Sequence, residues 1–251
     1  MPARRGVMAI LGVTVISVAA LPAHAFGQTV NERVVISVNG AYQTGTSDVS
    51  STVGFTANAE QTTFAYKFAV KPGPALDVMG RIRLIRNMGI GVAYTSFSAN
   101  GPADITSQIP HPFFFNQPRN IAGQASLDRK ETALHLRATI SSSPGRRLQF
   151  TVFAGPVFFS MKQDLVSSVA YTDAYPYDTA TFASAATKQV SQSKTGFGAG
   201  VDVAYYFSKN IGVGAVASIA RATISAMAAD NSAVSIDVGG TTFGVGLRVR
   251  F

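Results

Sequence analysis

The sequence predicts an all-β chain folded as a transmembrane, antiparallel, up-and-down β-barrel of eight strands, with ten strands as the alternative count. Three observations predict it. The segment 241–251 reads TTFGVGLRVRF, so Phe243, Val245, Leu247, Val249 and Phe251 share one side, while Thr242, Gly244, Gly246, Arg248 and Arg250 share the other. Alternation of period two belongs to a strand with unlike faces; a strand between hydrocarbon and a polar lumen takes this form. Charged residues make up only 14% of the chain beside 47% hydrophobic, against roughly 25% charged in soluble domains. Finally, no stretch beyond residue 25 approaches a helical membrane span, which needs roughly 18 or more apolar residues. The apolar side chains are dispersed in alternation, as a barrel requires.

Arg4 and Arg5 give the N-terminus a basic start, 6–21 is a mostly apolar run, and Ala23-His24-Ala25 is a small-x-small pattern. Together they read as a signal peptide over 1–25, cut after Ala25, with 26–251 as the barrel domain. The absence of cysteine excludes disulfides, thiolate metal sites and lipoprotein anchoring.

In chain order, the first strand covers 32–44, with Val34, Ile36, Val38 and Tyr42 outward and Arg33, Ser37, Asn39 and Gln43 inward. A Ser/Thr/Gly loop follows. Within 52–70, Phe64, Tyr66, Phe68 and Val70 alternate and Val53, Phe55 and Ala57 supply a partner, so this excursion reads as a hairpin beyond the membrane or as two extra barrel strands. KPGP at 71–74 interrupts pairing, because proline donates no ladder hydrogen bond. The second strand, 75–85, places Leu76, Val78, Ile82 and Leu84 outward and Asp77, Met79, Arg81 and Arg83 inward. After a turn at 86–87 the third, 88–98, points Met88, Ile90, Val92 and Tyr94 outward. A polar, proline-bearing loop is expected from 99 to about 128.

The fourth strand, 132–141, sends Leu134, Leu136 and Ile140 outward; Glu131, just before it, shares the inward parity of His135, Arg137 and Thr139. The fifth, 148–161, carries phenylalanine on both faces and Pro156 inside it. A Ser/Thr/Tyr loop is expected over 162–193. The sixth, 194–207, alternates Phe197, Val201, Val203, Tyr205 and Phe207 with Gly196, Gly198, Gly200 and Asp202; the seventh and eighth are 211–225 and 236–251. Connections at 86–87, 142–147 and 208–210 are short, and those at 45–74, 99–128, 162–193 and 226–235 are longer. Strict alternation of short and long connections belongs to barrels with short periplasmic turns and long extracellular loops.

The closing strand with its terminal Phe251 resembles that of bacterial outer-membrane β-barrels, where a terminal aromatic helps the assembly machinery recognise its substrate. The whole pattern resembles the small-barrel class of the OmpA transmembrane domain, OmpX and the opacity proteins. The resemblance implies a monomer in the bacterial outer membrane with lipopolysaccharide and the assembly machinery as partners. The net charge of +8 then finds its counter-charge in anionic lipopolysaccharide and not in nucleic acid.

Parity gathers Asp77, Arg81, Arg83, Glu131, His135, Arg137, Asp202, Arg248 and Arg250 in the lumen. An eight-stranded barrel is only wide enough for side chains to fill, so a network of ion pairs is expected there and an open channel is not. Arginines outnumber carboxylates in this set, leaving water, loop carboxylates or an anion to balance them. A small anion-preferring porin is therefore the second reading. The third is a lipid A-modifying enzyme. His135 points inward, however, and the only other mature histidine, His111, lies in a loop, while an arginine-rich lumen is unsuited to holding an acyl chain. No catalytic residue, cofactor or metal site is expected. Gly196, Gly198 and Gly200 read as room for facing arginines, not as a nucleotide loop, because no helix follows. On the surface, Phe113, Phe114 and Phe115 within IPHPFFFNQPR are expected to fold over the barrel mouth, since three exposed phenylalanines invite aggregation; the other options are the outer leaflet or a partner. Tyr171, Tyr175 and Tyr177 form a second candidate contact cluster. Arg221, on outward parity, reads either as a rim residue reaching lipid phosphate or as the mark of a bulge.

Overall fold

A computed structural model describes residues 33–44, 48–230 and 232–251. The expected signal peptide at 1–25 lies outside the described residues. The described chain is built of β-strands, and no helix in it is long and apolar enough to cross a membrane. Ten strands follow one another: β1 (Val34–Gln43), β2 (Val49–Ala57), β3 (Glu60–Phe68), β4 (Gly73–Ile85), β5 (Met88–Pro110), β6 (Pro118–Ser142), β7 (Leu148–Asp173), β8 (Ala180–Tyr206), β9 (Ile211–Met227) and β10 (Ala233–Arg250).

Eight of them close a ring. β1 pairs β4, β4 pairs β5, and the antiparallel ladder continues in order to β10, which returns to β1 from Val35↔Arg250 to Gln43↔Thr242. The β2–β3 hairpin stands outside that ring. β3 pairs the upper part of β5 at Phe64↔Ser107 to Phe68↔Ala103, above the place where β4 leaves the same edge at Ala75↔Phe97. The excursion at 52–70 is thus a hairpin beyond the barrel, and the ten-strand count holds for the sheet but not for the ring.

Outward-facing side chains fix a belt. Ile36, Val38 and Tyr42 on β1, Met88 to Tyr94 on β5, Leu134 to Ile140 on β6, and Phe243, Val245 and Leu247 on β10 are all exposed apolar groups on alternate positions. The longer strands then change character at their upper ends. On β5 the outward positions after Tyr94 become Ser98, Asn100, Asp104, Thr106 and Gln108; on β6, above Leu134, they become Thr132, Lys130, Asp128, Ser126 and Gln124.

The strands do not stop where the belt stops. The segments 99–128 and 162–193, expected as loops, are mostly strand: β5 and β6 stay paired from Met88↔Ile140 to Pro110↔Pro118, and β7 and β8 stay paired up to Asp173↔Ala180. With roughly 3.3 Å per residue and ~45° tilt, β5 and β6 rise on the order of 35 Å above Tyr94. Composition hid these strands, because polar outward residues alternate with small inward ones such as Ala99, Gly101 and Ala103.

Val53, Phe64, Phe68, Ile105, Leu127, Phe159, Met161, Leu165, Ile224 and Ile236 pack inside this upper wall as one apolar core. The inside of the barrel therefore has two storeys, apolar above and polar below. This corrects the expectation of an arginine-rich lumen throughout, and with it the ground on which acyl-chain binding was set aside.

The irregular β7 has a local cause. The β6–β7 ladder runs from Arg129↔Gln163 to His135↔Val157 and resumes at Ala138↔Ala154, skipping Pro156, which has no N–H to give. Phenylalanine on both faces reflects two different neighbours: Phe150 and Phe158 are exposed on the belt, while Phe153 and Phe159 are buried inside.

Candidate functional site

The lower storey is a cross-linked polar network. Arg248 on β10 donates to Asp202 on β8 from Nη2 at 2.5 Å and Nε at 3.1 Å, and to Asn39 Oδ1 on β1 from Nη1 at 2.5 Å. Asn39 Nδ2 in turn donates to Asp77 Oδ1 on β4 at 2.7 Å. The second oxygen of Asp77 lies 3.5 Å from Arg137 Nη2 on β6, and the Arg137 guanidinium sits 4.2 Å over the Phe153 ring on β7. One chain of contacts thereby crosses six strands. The alternation of the strands puts these groups inside; the stagger of the ladders brings them to one level.

Arginines beyond the carboxylates are met by neutral oxygens. Arg81 donates from Nη1 to Ser141 Oγ at 2.9 Å and to Thr151 Oγ1, and from Nη2 to Gln149 Oε1 at 2.8 Å. Arg250 stacks 3.8 Å over the Tyr206 ring and donates to the Lys209 carbonyl at 2.6 Å. His135 shares a 3.0 Å hydrogen bond with Thr95. Arg83 is half-buried at the lower mouth and lines a small cavity of about 20 Å³ with Arg33, Arg86 and Gln149.

Glu131 stands higher and takes a partner that sequence reasoning missed. Arg129 Nε donates to Glu131 Oε1 at 2.6 Å, with its side chain wholly buried. Glu131 Oε2 also accepts from the Gly239 amide at 2.9 Å. Gly239 adopts φ +88°, a conformation that favours glycine, and this lets β10 turn its amide to the carboxylate. Arg129 lies just past the end of the loop expected over 99 to about 128; its inward parity, shared with Glu131, was the available signal. Each of Asp77, Asp202 and Glu131 therefore has one arginine, Arg81, His135 and Arg250 bond to hydroxyl, amide and carbonyl oxygens, and Arg83 Nη1 is buried with no hydrogen-bond partner among the described residues.

The 196–200 glycines serve a different end from the one expected. A Cβ on Gly200 would meet the Phe153 ring at 2.6 Å, and one on Gly196 the Arg221 carbonyl at 2.2 Å. They make room for an aromatic and for close backbone approach; at Gly214, by contrast, an added Cβ would lie 3.0 Å from Arg248 Nε, so this glycine does accommodate an arginine. Arg221 itself is exposed on the outer face opposite Phe197, with no bulge in that ladder.

A second cluster forms where two hairpin tips meet. Arg119, its side chain 5% exposed, pairs Asp173 at 2.7 Å and also donates to the carbonyls of Tyr177 and Pro110 at 3.1 and 3.0 Å. This pins the β5–β6 tip to the β7–β8 tip. His111 is buried, and its Nδ1 accepts from the amides of Phe113 and Phe114 at 3.1 and 3.2 Å. The Phe113 ring meets Tyr177 edge-on at 5.4 Å, and Tyr175 meets Tyr177 at 6.1 Å. Phe113, Phe114 and Phe115 do not fold away: they are 69%, 57% and 72% exposed, and Tyr175 is 87% exposed. Tyr171 lies lower on β7, half-buried. Arg119→Ala is expected to unlock the tips, since it leaves Asp173 unpaired. Chymotrypsin cleavage at 113–115 should then speed up about tenfold, for a local loss of roughly 1–2 kcal/mol, with the barrel itself intact.

Above the β1–β10 seam the wall is held differently. β2 pairs only β3, and a cavity of about 710 Å³ lies between β2 and the start of β10, lined by Ser50, Thr52, Tyr66, Lys67, Asp104 and Ser235 among others. Asp230 crosses to the hairpin, accepting from the Gly54 amide at 3.0 Å and from the Ser232 amide at 3.0 Å. Hydrogen bonding, first from the Ser232 side chain and then from these amides, lowers its carboxyl to about 2. A carboxyl depressed in the folded state contributes above its ordinary value and is lost as pH falls through the folded one. Protection of the Gly54 amide from hydrogen exchange is therefore expected to be equal at pH 7 and 5, to fall as the pH approaches 2, and to be absent in Asp230→Ala at every pH.

No protein-family model matches the sequence, and no curated protein sequence does. Solved structures do. The outer membrane protein OprG from Pseudomonas aeruginosa aligns over 88% of this chain and 96% of its own at 11% identity, with a TM-score of 0.49. Neisserial surface protein A aligns over 87% and 97% at 12% identity, TM-score 0.44. The outer membrane protease OmpT from Escherichia coli aligns over 87% and 97% at 9% identity, TM-score 0.46. For this chain the barrel is established by its own closed ladder.

Proposed function

We propose that this chain is an exported outer-membrane barrel that does not conduct, and that its task is to hold a folded extracellular turret against lipopolysaccharide, host or environmental surfaces. The observation that carries this reading is the change of the outward face from apolar to polar at one level, with paired strands and a separate apolar core continuing above it. A barrel built only to span would end its strands near the belt. The exposed aromatic tip is what the turret offers; Phe and Tyr supply contact area with few rotatable bonds. The closing seam fits the same reading: Phe251 is exposed, and its amide donates to Val34 O at 2.9 Å.

Two measurements test it. Refolded protein in planar bilayers should show no steady conductance, because the lower storey is cross-linked by Arg–carboxylate pairs; ohmic, anion-selective current would replace this reading with that of a small porin. A thiol placed at Phe114 should react with an impermeant reagent on intact cells, and failure to react would remove the surface role. The enzyme reading predicts an acyl difference in lipid A between cells with and without the gene, and none is expected here.

A further inference from the structure

We propose that the outer wall carries a binding site for the phosphate of a phosphorylated outer-leaflet glycolipid, clamped by Lys130 and Lys162. The proposal rests on the membrane placement above and names one lipid contact of the barrel. Lys130 and Lys162 are direct cross-strand partners in the β6–β7 ladder, both exposed on the outward face. Two like charges facing each other across a ladder repel, and among the described residues neither lysine forms an ion pair. They border a hollow of about 450 Å³ on the outside of the wall, completed by Ser98, Asn100, Asp128 and Gln189. The carboxylate of Asp128 is engaged by Asn100 Nδ2 at 2.5 Å, and the neighbouring Asp164 accepts from the Asp128 amide at 3.3 Å, so both are held by other groups.

Height decides which anion fits. Below the lysine pair the ladder reads Thr132↔Ser160 and then Leu134↔Phe158, whose side chains are exposed on the belt together with Tyr94. The lysines stand four residues above that last apolar pair, on the order of 9 Å along the membrane normal at the usual rise and tilt. This is the depth of the headgroup layer, within reach of lysine side chains that lean toward the interface. An amphiphile with its phosphate between the two ammonium groups lays its acyl chains along Leu134, Phe158 and Tyr94. A free anion would gain the charge contacts but none of this apolar contact.

The test is native mass spectrometry of the folded protein released from detergent micelles, titrated with lipid A, a bisphosphorylated acylated glucosamine disaccharide. The wild-type chain is expected to retain lipid A. Lys130→Gln/Lys162→Gln should bind it about tenfold or more weakly, and lipid A stripped of phosphate should bind the wild type as weakly. Lys67→Gln, in the turret and outside this hollow, serves as a control and should bind like wild type. Equal binding by the double variant, equal binding of the dephosphorylated lipid, or full displacement by millimolar inorganic phosphate would each overturn the proposal. Gel mobility with and without heating reports that each variant is folded. The micelle assay involves neither conductance nor surface display, so its failure is distinct from failure of the reading above.

Discussion

Asp202→Ala is expected to destabilise the barrel by about 3–5 kcal/mol, the range for stripping one partner from a buried ion pair. The loss is not that of one hydrogen bond. Arg248 has a side chain only 1% exposed, and Asp202 takes bonds from two of its three nitrogens. With the carboxylate gone, a guanidinium remains in the lumen with Asn39 Oδ1 and the Leu247 carbonyl as its remaining acceptors. Asn39 also orients Asp77, so the disturbance travels toward Arg137. Urea unfolding from detergent or vesicles, followed by far-UV circular dichroism, should show the midpoint shift; the chain has no tryptophan to follow instead. Asp202→Ala/Arg248→Met should recover most of the loss, because it removes the uncompensated charge along with its partner. If the single variant unfolds like wild type, the lower storey is wet enough to solvate Arg248 and the non-conducting reading weakens with it.

Gly246→Ala should cost about 3 kcal/mol or more, at the upper end for overpacking, because what must move is backbone. A Cβ there would lie 1.9 Å from the Val38 carbonyl oxygen and 2.7 Å from Asn39 Cα. Both atoms belong to β1, and Gly246 pairs Asn39 in the ladder that closes the ring. The substitution pushes the first and last strands apart at the seam, where no side-chain rotation can relieve it. Gly40→Ala, on the facing strand one residue away, is the control: nothing lies within 4 Å of its added Cβ, and an effect under about 0.5 kcal/mol is expected, as for an unremarkable surface change. Refolding yield, read from heat-modifiable gel mobility, separates the two. A Gly246→Ala barrel that closes as readily as Gly40→Ala would show that the seam has slack.

The polar network was legible as a set of residues and not as a set of pairs. Period-two parity put Asp77, Arg137, Asp202 and Arg248 on the lumen side from the sequence alone. Which arginine meets which carboxylate depends on the relative shift of strands far apart in the chain, as with Arg248 and Asn39, 209 residues apart. Arg129 escaped notice because the polar residues around it read as loop, although its parity matched that of Glu131. The same misreading concealed the turret: Ser, Asn, Asp and Thr on a solvated outer face are indistinguishable by composition from a loop, and only pairing with a neighbour makes them strand.

What the chain determines by itself is local and covalent in origin. Side chains alternate across a strand because successive Cβ atoms point to opposite faces, so the belt, the inward set and the short turns follow from the order of residues. What only the tertiary structure decided is vertical and mutual: that β2 and β3 stand above an eight-stranded ring, that the inside divides into an apolar and a polar storey, and that the tips of β5–β6 and β7–β8 lock through Arg119 and Asp173. Those properties depend on register and stagger, which are set when distant strands choose partners and no single segment can encode them.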